Sequence, residues 1–141
     1  MRAPSSYDYA MIRLIPSVER GECINVGVIL FCRTRRFLGT LIHLDPQRVL
    51  ALAPTIDLEA VQEHLETLRL ISAGDEAGGQ ISQLSQPERF HWLVAPRSTI
   101  IQISAVHSGL CTDPQAALQR LMNTLVLVPS AQAVTSSSEH R

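Results

Sequence analysis

The sequence predicts an α+β domain: an antiparallel sheet of about four strands, in the order β-β-β-α-α-α-β-α, with helices packed on one face. Three observations predict it. The first third of the chain holds short runs of β-branched and aromatic residues separated by charged turns. The remainder carries helix-start signals, each an acceptor side chain beside a proline or ahead of a glutamate. A chain of 141 residues, 45% hydrophobic and 18% charged, is long enough for one core and too short for two ordinary domains.

The strand signals come first. Residues 7–15, 24–32 and 37–44 read as an antiparallel meander. Its connections are the polar segment 17–22, with a single glycine, and Arg33-Thr34-Arg35-Arg36. Asp45 followed by Pro46 opens a short helix to about Leu52. Near Asp57 a longer one begins, with Leu58, Val61, Leu65 and Leu68 on one face and Glu59, Glu63 and Glu66 on the other. Ser85 and Glu88, three apart, form a capping-box pattern for a helix through Phe90 and Leu93. Residues 99–106 alternate apolar Ile101, Ile103 and Ala105 with Gln102 and Ser104, which reads as one further strand. Asp113-Pro114 starts the last helix, with Ala117, Leu118, Leu121, Met122 and Leu125 in one stripe and Pro129 at its end. Residues 72–84 contain three of the seven glycines and no regular period, so a mobile loop is expected there. The expected division is a single domain over 1–129 and a disordered polar tail over 130–141.

A net charge of -1 argues against nonspecific nucleic-acid binding, which draws its affinity from a positive field. All twelve basic side chains are arginine, so lysine-based covalent chemistry is excluded. Cys23, Cys32 and Cys111 are too few and odd in number for a disulfide framework, and the opening residues lack the apolar stretch of a signal peptide. A cytoplasmic location with reduced thiols is expected. No apolar run approaches the roughly 20 residues that span a bilayer.

Four polar clusters interrupt the pattern. Tyr7 and Tyr9 share a strand face with Met11 and Arg13, while Asp8 takes the other. An arginine beside aromatic rings can hold an anion or stack on a base; it can equally pair with Glu19 or Glu22 across the hairpin. Glu19 and Glu22, with Arg20 between them and Asn25 and Gly27 following, suit a cation site or a solvated turn. Arg97 and Ser98, with Thr99, can form an anion-binding nest at a strand entrance or simply satisfy a turn. His107 and Cys111 would need Cys23, Cys32 and His43 to converge before they held zinc, so neither metal nor cofactor is expected. A glycine inside an apolar strand, as at Gly27, points to a neighbour that needs the space.

Taken together, the segments Tyr7-Asp8-Tyr9-Ala10-x-Ile12-Arg13, Pro16-x-x-Glu19-Arg20-Gly21-Glu22-x-x-Asn25-Val26-Gly27, Ser98-Thr99 and Val106-His107-x-Gly109-x-Cys111-x-Asp113-Pro114 resemble the bacterial proteins grouped as domain of unknown function 3037. The resemblance runs from about Tyr7 to Val128. It implies a small stand-alone cytoplasmic bacterial protein, and it marks Tyr7, Asp8, Arg13, Glu19, Arg20, Asn25, Gly27, Ser98, His107 and Asp113 as residues to locate, without giving them roles.

Functional expectations fall into three classes. Apolar residues on both faces of strand 24–32 favour a non-enzymatic binding or adaptor domain whose second face is covered by a protein partner or a second copy. An enzyme recognising phosphate or another small anion would use Arg13, Arg20, Arg97 and His107, with His107 as general acid or base. A regulatory subunit of a neighbouring enzyme, such as a kinase, is the third. Neither a phosphate-binding loop nor a dinucleotide fingerprint is present.

Overall fold

The computed structural model describes residues 3–128; the expected tail over 130–141 lies outside them. Nine elements follow in order: β1 (Ser5–Leu14), β2 (Ile24–Cys32), β3 (Phe37–Ile42), α1 (Pro46–Leu52), α2 (Leu58–Ala73), α3 (Gln86–Val94), β4 (Ile101–Ile103), β5 (His107–Cys111) and α4 (Pro114–Leu125). All strand pairs are antiparallel, in the order β3-β2-β1. Both β4 and β5 then pair with β1, β4 along residues 12–14 and β5 along residues 5–9. The expected α+β class and antiparallel sheet are those of the structure, with five strands.

The strand expected over 99–106 is shorter, and a separate strand occupies the segment read as a connection to the last helix. Ser104 explains the break. Its Oγ accepts the Met11 N–H at 2.8 Å and donates to the Ala105 carbonyl at 2.9 Å. A side-chain oxygen thus takes the place of a ladder carbonyl, and the chain steps out before rejoining β1 as β5.

Each helix begins where its cap was expected. Asp45, Asp57 and Asp113 accept backbone N–H bonds at the starts of α1, α2 and α4, and Ser85 with Glu88 completes a capping box on α3. Gly74 ends α2 in the left-handed conformation, with φ at 72°, which costs glycine nothing sterically. The segment expected as a loop carries two short 3-10 turns, Glu76–Gly78 and Gln80–Gln83, and partly buries Ile81 against the core.

The helices divide between the two faces of the sheet, a departure from the single covered face expected. Ile12, Leu14, Ile24, Val26, Ile29 and Phe31 pack against α1, α2 and α3. On the reverse, Tyr7, Val28, Leu30 and Cys32 pack against Ala117, Leu118 and Met122 of α4. The second apolar face of β2 is therefore covered by the chain's own last helix.

A β-bulge sets which residues reach which face. Ile12 opposes Gly27 but Arg13 opposes Asn25, so Val26 is the extra residue. The bulge shifts the alternation of β2 by one residue. Ile24 and Val26 then join Ile29 and Phe31 under α1, α2 and α3, and Asn25 is turned toward α4. No helix among the described residues is long and apolar enough to cross a membrane.

Candidate functional site

On the α4 side, the helix lies over β2 and β3 and leaves the β1–β5 side of that face partly open. Successive odd-numbered residues of β1, Tyr7, Tyr9, Met11 and Arg13, turn toward this side because strand side chains alternate. β5 adds His107 opposite Tyr9 and Gly109 opposite Tyr7. The rings of Tyr9 and His107 stand 5.5 Å apart, and those of Tyr7 and Tyr9 6.0 Å apart. Tyr9, Met11 and Arg13 are half-buried and His107 is exposed. Arg13 is followed across the ladder by Asn25 on β2 and Gln102 on β4.

Several residues marked in the sequence belong to this strip or its supports. Tyr7 is buried and its hydroxyl end lies over Gly109, where a Cβ would sit 2.5 Å from the Tyr7 oxygen. Glycine at 109 is thus what admits the Tyr7 ring. Asn25 Nδ2 donates to the Leu125 carbonyl at 3.0 Å, tying the last turn of α4 to the sheet and satisfying one of its orphan acceptors. Asp8 points to the opposite side and accepts from Ser108 Oγ at 2.9 Å. Asp113 is the N-cap of α4.

The other marked residues lie elsewhere. Arg20 pairs with Glu22 in the β1–β2 connection, and Glu19 is exposed there. Neither glutamate pairs with Arg13 among the described residues. Arg97 and Ser98 are on the α2–α3 side. The Arg97 guanidinium lies 3.5 Å from the centre of the Trp92 ring and donates to the Ala95 carbonyl at 3.2 Å. Ser98 Oγ accepts the N–H groups of Ile100 and Ile101, both at 3.2 Å, the turn-satisfying role rather than a nest. Arg13 and His107 thus share one face, while Arg97 is across the sheet and Arg20 is engaged in a loop.

His64 on α2 is a residue that sequence reading passed over. It lines a small cavity with Trp92, Arg97 and Ser98, and burial, then the charge of Arg97, hold its pKa below the usual histidine value. The only sequence signal was its position on the border between the apolar and acidic faces of α2. Cys111 is buried beside α4, and burial followed by the neighbouring Cys32 thiol pushes its pKa up. Such a thiol is a poor nucleophile. No group of three or more His, Cys, Asp or Glu side chains is placed to hold a metal ion among the described residues.

A family model described as Protein of unknown function (DUF3037) matches residues 9–126. The matched span contains β1 from Tyr9 onward, the bulge, Arg13, Asn25, His107 and the whole of α4. No curated protein and no solved structure matches the chain.

Proposed function

Because the chain belongs to the family of proteins of unknown function DUF3037, its role has to be read from the surface it presents, and we propose that it is a non-enzymatic, cytoplasmic recognition domain that binds a protein partner through the strip formed by Tyr9, Met11, Arg13 and His107. The observation that carries this reading is the half-burial of three alternating β1 side chains beside the edge of α4, with the His107 ring against Tyr9. Tyrosine, methionine and arginine are the residue types enriched where protein surfaces meet. Their backbone is already fixed by strand pairing and their half-burial restricts the side chains in part, so less freedom is lost on association than from a loop.

Charge selects the partner's chemistry. Arg13 makes no ion pair among the described residues, and the strip holds no carboxylate. An acidic partner surface supplies what Arg13 lacks. A second copy would bring another arginine and no acid to the same patch, which disfavours a symmetric dimer.

The enzyme reading based on Arg13, Arg20, Arg97 and His107 has less support, because these four do not surround one point. A general acid or base must stand within hydrogen-bond reach of the group it serves. Arg97, stacked on Trp92 across the sheet, cannot share a small substrate with His107.

A photo-crosslinking residue placed at Met11, in cells of the source organism, tests the proposal. One discrete protein adduct is expected, lost on adding Arg13→Glu and retained on adding Glu63→Arg on exposed α2 surface. An adduct that survives Arg13→Glu, or no adduct at all, overturns it.

A further inference from the structure

At the tip of the β2–β3 hairpin, Arg36 has φ at 52°, the one non-glycine residue with positive φ among the described residues. Its N–H donates to the Arg33 carbonyl at 3.1 Å, closing the turn. A left-handed residue at such a place is ordinarily glycine or asparagine, since a Cβ there crowds the backbone. An arginine held in this conformation places a long cationic side chain where the turn itself asks for none.

That side chain borders a cleft of about 410 Å³ lined by Phe31, Arg33, Arg36, Gln86 and Pro87, within the usual range of small-molecule sites. Phe31 is largely buried and is braced from behind by Phe90, with ring centres 5.2 Å apart, so the small part of it that reaches the cleft is held in place. Gln86 Nε2 donates to the Arg36 carbonyl at 2.9 Å, joining the turn to the start of α3. Arg33 and Arg36 are both exposed and neither pairs with a carboxylate among the described residues. The carboxylate of Glu88 on α3 is taken by Ser85. Arg35, by contrast, is committed to the Ala3 carbonyl at 2.8 Å.

An apolar floor with two free guanidiniums on its rim fits a ligand that is flat and apolar at one end and anionic at the other. We propose that this cleft binds a small aromatic carboxylate, its ring on Phe31 and Pro87 and its carboxylate on Arg33 and Arg36. The planar guanidinium fork matches a carboxylate in a way that a point charge does not. The site is on the side of the sheet away from Arg13 and His107, and it stands independently of the partner surface.

Titration of the full chain with 2-naphthoate, followed through backbone amide shifts in NMR, tests the assignment. Saturable shifts are expected at residues 33–36 and at Gln86, with Arg36→Gly weakening binding by about tenfold or more, the scale of one lost hydrogen bond to a charged group. The same variant relieves the strained backbone and is expected to melt no lower than the wild type, so lost binding would not reflect lost folding. Arg36→Asn, which also tolerates the turn, should weaken binding equally. Neutral 2-naphthalenemethanol and inorganic phosphate should each bind far more weakly than 2-naphthoate. The proposal is overturned by an absence of saturable shifts with 2-naphthoate, by unchanged affinity in the stably folded Arg36→Gly variant, or by equal binding of either control compound.

Discussion

Gly27 and the Leu41 carbonyl are in such close approach that a Cβ at Gly27 would lie 2.7 Å from the Leu41 oxygen, with Ile12 Cδ1 at 3.0 Å. The space the glycine leaves is used by the neighbouring strands of its own sheet. Gly27→Ala is therefore expected to destabilise the protein by roughly 1–3 kcal/mol, the cost of overpacking a close-packed site, although alanine has the better strand propensity. Urea unfolding at constant m-value checks it. A variant as stable as the wild type would show that β3 yields at Leu41 without cost.

Asn25 is the polar counterpart of that bulge. Removing its amide with Asn25→Ala leaves the Leu125 carbonyl without its 3.0 Å donor and should cost on the order of 1 kcal/mol, the net worth of one such hydrogen bond. Hydrogen exchange should rise in the last turn of α4 more than in α2. Uniform change across both helices would mean that Asn25 does not anchor α4 in particular.

The capping residues Asp45, Asp57, Ser85 and Asp113 were legible because a cap is a local device: the acceptor and the N–H groups it serves are two or three residues apart. The meander was legible for the same reason. The split of the helices between two faces was not, although β2 carried the signal in apolar residues on both faces. Reading that as a missing partner overlooked α4, which returns from the far end of the chain. The bulge at Val26 was hidden because every residue from Val26 to Cys32 is small or apolar and supports either register. At the candidate site, Tyr9 and His107 meet only through the β1–β5 pairing, which the single strand expected over 99–106 did not contain. His64 and Arg97 come together through α2 and the α3–β4 connection, a tertiary contact with no sequence period.

Cys23 is exposed, while Cys32 and Cys111 are buried on the two strands that flank β1, and all three are free thiols. Labelling of the native protein is expected to modify one thiol quickly and two slowly, and all three in denaturant without reductant. Fast modification of Cys111 would contradict its raised pKa and its burial against α4.

The pH dependence around His64 follows from its lowered pKa, caused first by burial and then by the Arg97 charge. The unfolded chain takes up the proton near the ordinary histidine pKa, about 6.5, while the folded protein resists it until a lower pH. Stability attached to this residue is therefore complete above about pH 6.5 and is lost as pH falls from there through the folded value. Comparing wild type with His64→Gln isolates this contribution from the other histidines: the wild type should lose more stability below pH 6.5 than the variant does. Replacing the charge in Arg97→Gln should raise the His64 pKa, read from its ring-proton shifts, but leave it below the usual value because burial is the larger cause. Arg97→Lys keeps a cation near Trp92 and should retain most of the depression. An unchanged His64 pKa in Arg97→Gln would show that the cation stacked on Trp92 exerts no field at the imidazole.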